Sequence, residues 1–255
     1  MRLPDVLVAF PYYRPTMEPF LGDGGLDWVL DSGAYSALGS GKHIELEDYI
    51  EFALGQGSTA KHIFALDVIG DPEASLSNAV AMRDAGVPCI PTWHDGSPLS
   101  ALDEIASEFD RIAIGGMVGR RDSGKGLRLS ETDRLRSVTR VFDRVWPKWI
   151  HGFGLTGEKL LTTFPFASVD STTWSLRPGM YGQWKTFGGA VPVRVSKKRG
   201  VAVTCEIAWF MDRQARHAAQ WRKQLDIIGE DAFTIKLACG SKGDLGTCRR
   251  GANKT

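Results

Sequence analysis

Short apolar runs that stop at an acid or at a glycine pair recur along this chain, and no other feature restricts its fold as strongly. Trp28-Val29-Leu30 delivers Asp31, followed by Ser32-Gly33; Ile63-Phe64-Ala65-Leu66 delivers Asp67; Ile112-Ala113-Ile114 ends at Gly115-Gly116; Trp149-Ile150-His151 runs into Gly152-Phe153-Gly154; Phe166-Ala167-Ser168-Val169 delivers Asp170. An abrupt apolar-to-polar step of this kind reads as a buried strand handing a side chain to the loop at its carboxyl end. Helical stretches stand between the runs, and strands alternating with helices every 20 to 40 residues or so are what a parallel sheet with crossover helices requires.

Boundary signals fill in the rest. Leu7-Val8-Ala9-Phe10 reads as the first strand, stopped by Pro11 and Tyr12-Tyr13, and Glu45 to Leu54 has helical spacing that ends at Gly55 and Gly57. Asp71-Pro72-Glu73 opens a helix with a cap, a proline in the first turn and an early acid, and Asp84-Ala85-Gly86 closes it. Val87 to Ile90 is the fourth strand, running into Pro91-Thr92-Trp93-His94, and Ser97-Pro98 is expected to cap the helix to about Phe109. Ser130-Glu131-Thr132-Asp133 resembles a capping box for a helix to about Val145, and a short helix is expected from Gly157 to Thr163. Seven strands are visible, and the Val-rich alternation in Ala190 to Val203 is expected to hold the eighth. From Cys205 to Gly229 an amphipathic helix is expected to cover the barrel. The expected architecture is a single-domain (β/α)8 TIM-like barrel over residues 1–235, with 171–200 an aromatic and basic loop and 236–255 an irregular basic tail. A doubly wound open sheet is the competing arrangement.

A chain of 255 residues suits one such barrel. Its net charge of +1 excludes a strongly basic coat, so nucleic-acid contacts must come from local patches. Candidates are Arg120-Arg121, Lys197-Lys198-Arg199, and Arg177 and Lys185 in the Gly-rich stretch that also carries Trp174, Tyr181, Trp184 and Phe187. Aromatics interleaved with cations suit the stacking of unpaired bases, or alternatively a long loop that packs its own rings. Four scattered cysteines without a Cys-x-x-Cys, no leader-like N-terminus and no long apolar run together lead to the expectation of a reduced, cytoplasmic setting without membrane contact.

In a barrel the strand ends converge on one mouth, so Asp31, Asp67, Gly115-Gly116, Phe153 and Asp170 should share a cleft. Three acids there are compatible with a metal site, with His94 and His151 as the histidine candidates, although no ligand spacing is present. They are equally compatible with glycosyl chemistry, in which one acid attacks an anomeric carbon and another handles protons.

The ordered set resembles the guanine transglycosylases, which exchange guanine for a 7-deazaguanine in tRNA, and their DNA-acting, often phage-encoded relatives. The resemblance spans about residues 5 to 175. It implies that Asp31 of Asp31-Ser32-Gly33-Ala34-Tyr35 is the general acid/base, that Tyr35 and Phe153 hold the faces of the base, and that Asp67 reads its donor edge. It further implies that Gly115 and Gly116 line that edge and that Asp170 is the nucleophile; Ser32 falls within the base-binding motif. Where the tRNA enzymes have Gln-Gly-Gly, this chain has Pro91-Thr92-Trp93-His94, which leaves His94 or Thr92 to meet the base carbonyl. The Cys-x-Cys-x-x-Cys zinc set is absent from the sequence, so no zinc subdomain, metal or cofactor is expected. This compact form looks more like the DNA-acting relatives, with double-stranded DNA (target base flipped out) and a free 7-deazaguanine base such as 7-cyano-7-deazaguanine as partners. Alternatives are a zinc-free tRNA enzyme, a non-catalytic nucleic-acid-binding paralogue, and a nucleosidase in which water completes the reaction.

Overall fold

A computed structural model describes residues 5–22, 25–117, 129–172, 183–185, 192–194, 199–229 and 233–238. Nine strands form one parallel sheet: β1 (Val6–Ala9), β2 (Trp28–Asp31), β3 (His62–Phe64), β4 (Cys89–Ile90), β5 (Thr92–His94), β6 (Arg111–Gly115), β7 (Trp149–Gly152), β8 (Ser168–Ser171) and a last strand at Thr234–Ala238. Between β8 and that strand, β9 (Gln183–Lys185) and β10 (Pro192–Arg194) make a separate antiparallel pair, so the last strand is β11. The sheet order is β4-β3-β2-β1-β11-β8-β7-β6-β5.

Its two ends, β4 and β5, are halves of one segment parted by Pro91. Proline has no N–H to give a ladder, so the strand breaks there. On one side Ala65 donates its N–H to Ile90 O at 2.9 Å, and on the other Ala113 donates to Pro91 O at 2.8 Å. The sheet therefore curls into a nearly closed barrel of eight staves in chain order, with helices between them, as the alternation of runs implied.

The helices are α1 (Ala34–Ser40), α2 (Leu46–Leu54), α3 (Pro72–Asp84), α4 (Leu99–Glu108), α5 (Glu131–Val145), α6 (Glu158–Thr163), α7 (Arg199–Gln220) and α8 (Arg222–Ile227). Two of the expected caps form: Asp71 accepts the Ala74 N–H at 3.0 Å, and Ser130 accepts the Asp133 N–H at 3.1 Å while donating its hydroxyl to Asp133 Oδ2 at 2.7 Å. Ser97 makes no such bond, because α4 begins one residue later, with Pro98 at the cap position.

The eighth stave departs from expectation. Within Ala190 to Val203 the described residues form β10 and the first turn of α7, while β11 closes the barrel with all five residues buried. The Val-rich alternation has the two-sided pattern of an antiparallel hairpin. β11 escapes notice because Thr234 and Lys236, buried at 5% and 1% exposure, interrupt its apolar run. The barrel thus continues through Ala238, past the boundary expected at 235. The covering helix likewise starts at Arg199 rather than Cys205 and breaks at Trp221 into α7 and α8. Arg213 fastens it to α6, donating to Glu158 Oε2 at 2.9 Å and to Thr156 O at 2.7 Å.

Alternate residues of each strand serve two cores. Val8, Leu30, Ile63, Ile112, Ile114, Ile150, Val169 and Ile235 pack outward under the helices. Leu7, Val29, Phe64, Ile90, Ala113, Trp149 and Ala238 fill the barrel itself. Buried beside them are Asp5, His62, His151, Ser168 and Lys236, an unusually polar complement for such an interior. Among these, Lys236 Nζ stands 3.5 Å from Asp5 Oδ2 and 3.4 Å from Thr234 Oγ1.

The end of β3 is pinned from outside by Tyr49, fully buried on α2, whose hydroxyl donates to Phe64 O at 2.7 Å. Tyr49→Phe leaves that buried carbonyl without its side-chain donor and is expected to lower stability by about 1 to 2 kcal/mol. In urea unfolding this appears as a lower midpoint at unchanged slope.

Candidate active site

The loop after β2 is shaped by Gly33. Its φ is +78°, and a Cβ there would lie 2.5 Å from Pro11 Cδ, so only glycine fits. The chain folds back at once into α1, with the Gly33 N–H donating to Asp31 Oδ2 at 3.2 Å and the Ala34 N–H to Ser32 Oγ at 3.3 Å.

Asp31, Asp67 and Asp170 lie within electrostatic reach of one another at the carboxyl end of the barrel. Burial, then the charges of Asp67 and Asp170, push the Asp31 carboxyl from 3.8 up to about 7, against the lowering effect of the Gly33 and Ser32 N–H groups. Asp67 receives the Ser32 hydroxyl on Oδ1 at 3.0 Å, and its Oδ2 lies 2.7 Å from His94 Nε2. Asp170, 7% exposed on β8, accepts the Gly154 N–H on Oδ1 at 2.7 Å, and His151 Nε2 stands 3.7 Å from the same oxygen. The acids therefore differ in kind. Asp67 and Asp170 are held by partners from other elements, and Asp31, pushed up to about 7, is held by the N–H groups of its own turn.

Gly115 and Gly116 let β5 and β6 close on one another. A Cβ at Gly115 would stand 3.4 Å from His94 Nδ1, and at Gly116, where φ is +79°, one would stand 3.1 Å from Asp95 N. The His94 ring thus lies against the end of β6, tied to Asp67 at its other nitrogen. Phe153, half-buried, packs against Phe64 at 4.8 Å and edge-on to His151 at 4.7 Å. Tyr35 is 57% exposed on the first turn of α1. Outside Asp67 a cleft of about 400 Å³ opens between α1, the residues leading into α2 and the β3–α3 loop, with Leu38, Lys42, Val68 and Asn78 among its lining.

Two expectations about the base are altered by this geometry. Each oxygen of Asp67 already has an internal partner, so a base edge must use the carboxylate's remaining lone pairs. His94 is bound to Asp67 through Nε2, which leaves Nδ1 for any further contact. Among the described residues no cluster of His, Cys, Asp and Glu is arranged to hold a metal ion, and no described helix is long and apolar enough to cross a membrane. Arg120, Arg121, Arg177, Lys197 and Lys198 lie outside the described residues; of Lys185 and Arg199 only the backbone is described.

Sequence reasoning considered His151 only as a metal ligand and passed over Ser168, whose Oγ lies 2.8 Å from His151 Nδ1. The signal was period-two alternation: His151 and Phe153, and likewise Ser168 and Asp170, fall on the inward side of adjacent strands. No protein-family model matches the chain, and no curated protein matches it either.

The Asp31 pKa bears on stability. Its proton is held more tightly in the folded state, so its contribution is fully present below about pH 4 and is lost as pH rises through about 7. Asp31→Asn removes this ionisation. Its unfolding free energy relative to the parent is expected to rise between pH 4 and pH 8 by something on the order of 4 kcal/mol, measured as paired urea midpoints across that range.

Proposed function

We propose that the protein is a nucleic-acid guanine transglycosylase that exchanges guanine in DNA for a 7-deazaguanine base through a covalent glycosyl intermediate on Asp170. The observation that carries this is the division of labour among the acids. Asp31 is protonated up to about pH 7, at the same barrel mouth where Asp170 is anchored by the Gly154 N–H. A protonated acid within electrostatic reach of an anchored carboxylate is the kind of pair that a retaining glycosyl transfer uses.

The chemistry follows from the atoms. Asp170 attacks C1′ of the target nucleotide as the bond to guanine breaks, and Asp31 gives its proton to the departing base. The incoming base then yields a ring proton to the Asp31 carboxylate and attacks C1′, freeing Asp170. Two displacements retain the configuration, and a pKa near the working pH lets one carboxyl act in both directions. The ordered resemblance of Asp31-Ser32-Gly33-Ala34-Tyr35, Ala65-Leu66-Asp67, Gly115-Gly116 and Gly152-Phe153-Gly154 to the transglycosylases supports the same assignment. Asp67, fixed by Ser32 and His94, suits a base edge with adjacent N–H donors, and Phe153 offers a ring face. In a duplex the nucleotide must first be flipped out, at about a few kcal/mol. The absence of a zinc set from the sequence favours DNA over tRNA.

Incubated with duplex DNA and labelled 7-cyano-7-deazaguanine, the protein is expected to place label in the DNA and release guanine. Label in tRNA alone reassigns the substrate, and guanine release without incorporation makes it a nucleosidase. Asp170→Ala is expected to abolish exchange; unchanged exchange removes Asp170 from the chemistry. Asp31→Asn is expected to slow it by about 100-fold or more. In the parent, kcat/KM for DNA should fall as pH rises through about 7, because the first displacement needs Asp31 protonated.

A further inference from the structure

One oxygen of Asp170 is approached from two sides. Oδ1 takes the Gly154 N–H and is the oxygen 3.7 Å from His151 Nε2. His151 is fully buried, against Phe64 and Phe153 with ring centroids at 4.7 Å from each. Its Nδ1 is tied to Ser168 Oγ at 2.8 Å, while its Nε2 has no hydrogen-bond partner among the described residues. A buried ring nitrogen left without a partner has lost its water with nothing in exchange, which calls for an explanation.

Ser168 supplies part of one. It lies two residues before Asp170 on β8, so the strand that carries the carboxylate also sets the histidine's tilt. Burial keeps the imidazole neutral, with the Lys236 charge acting in the same sense and Asp170 opposing. A neutral ring that accepts the Ser168 hydroxyl at Nδ1 carries its proton on Nε2, the nitrogen that faces Asp170.

We propose that His151 is a positioning residue for the nucleophile: with the Gly154 N–H it holds Oδ1 of Asp170 as the spectator oxygen, so that Oδ2 forms the bond to the sugar. The inference rests on the transglycosylase assignment. In the first displacement Oδ2 bonds to C1′, the C1′–N pair leaves with guanine, the Asp31 proton follows it, and Oδ1 becomes the ester carbonyl. In the second, the incoming base loses its ring proton to Asp31, bonds to C1′, and the C1′–Oδ2 pair returns to Asp170. Negative charge then reappears on the carboxylate, and Oδ1 meets the Gly154 N–H already bonded to it and the His151 ring nitrogen that faces it from 3.7 Å and closes on it as the charge returns. Such donors favour breaking the ester over forming it, since the charge they stabilise belongs to the free carboxylate.

The test is rapid-quench measurement of the covalent protein–DNA adduct, with duplex DNA and labelled 7-cyano-7-deazaguanine. In His151→Leu the adduct is expected to accumulate because its breakdown slows by about tenfold or more while its formation does not. His151→Gln, which keeps an N–H near the Nε2 position, is expected to restore breakdown. Ser168→Ala, a smaller change that only releases the ring, should shift the balance in the same direction and carries the comparison if His151→Leu does not fold. Equal slowing of both displacements, or no recovery with Gln, overturns the role of His151 alone. Failure of the parent protein to form any adduct overturns the transglycosylase assignment and this inference with it.

Discussion

Three carboxylates converge on the mouth of one barrel, and the arrangement rests on the partners that meet each of them. Asp67 is met by a hydroxyl and an imidazole, and Asp170 by a backbone N–H from the neighbouring stave's loop. Among the described residues Asp31 is met by the N–H groups of its own turn, and burial, then the charges of the other two acids, push it toward neutrality. The Asp31 proton is thus held by burial first and by the two neighbouring acids second, against the N–H groups of Gly33 and Ser32.

The barrel makes this division possible. Parallel staves bring chain ends far apart in sequence to one rim, and the short turns there are built to let them approach: Gly33 against Pro11, Gly115 against His94, Gly116 against Asp95. Beneath the rim the interior is part polar, with His151 and Ser168 under Asp170, and Lys236 beside Asp5 and Thr234. A wholly aliphatic interior would leave a carboxylate at the rim without support from below, so the polar layer and the acid cluster belong to one design.

Much of this was legible in the residues. Asp31, Asp67 and Asp170 announce themselves as acids at the ends of apolar runs, and the caps at Asp71 and Ser130 follow from local hydrogen bonding alone. The eighth stave was not legible, because the interior it faces is polar and Thr234 and Lys236 break the run that marks the other strands. The division at Pro91 shows only once β4 and β5 are seen to pair in opposite directions around the ring. The Ser32–Asp67–His94 linkage and the place of His151 depend on tertiary distances that no local pattern encodes.

The claim on which the account turns is that burial beside Asp67 and Asp170 makes Asp31 hold its proton to near pH 7. Carbon-13 NMR titration of the aspartate carboxyls, with Asp31 assigned by its absence in Asp31→Asn, tests it directly. The account predicts that the Asp31 signal moves with a midpoint near 7, and that the midpoint falls when Asp67 or Asp170 is replaced by Asn. A midpoint for Asp31 near 4, the ordinary carboxylate value, or one unmoved by either replacement, would contradict it.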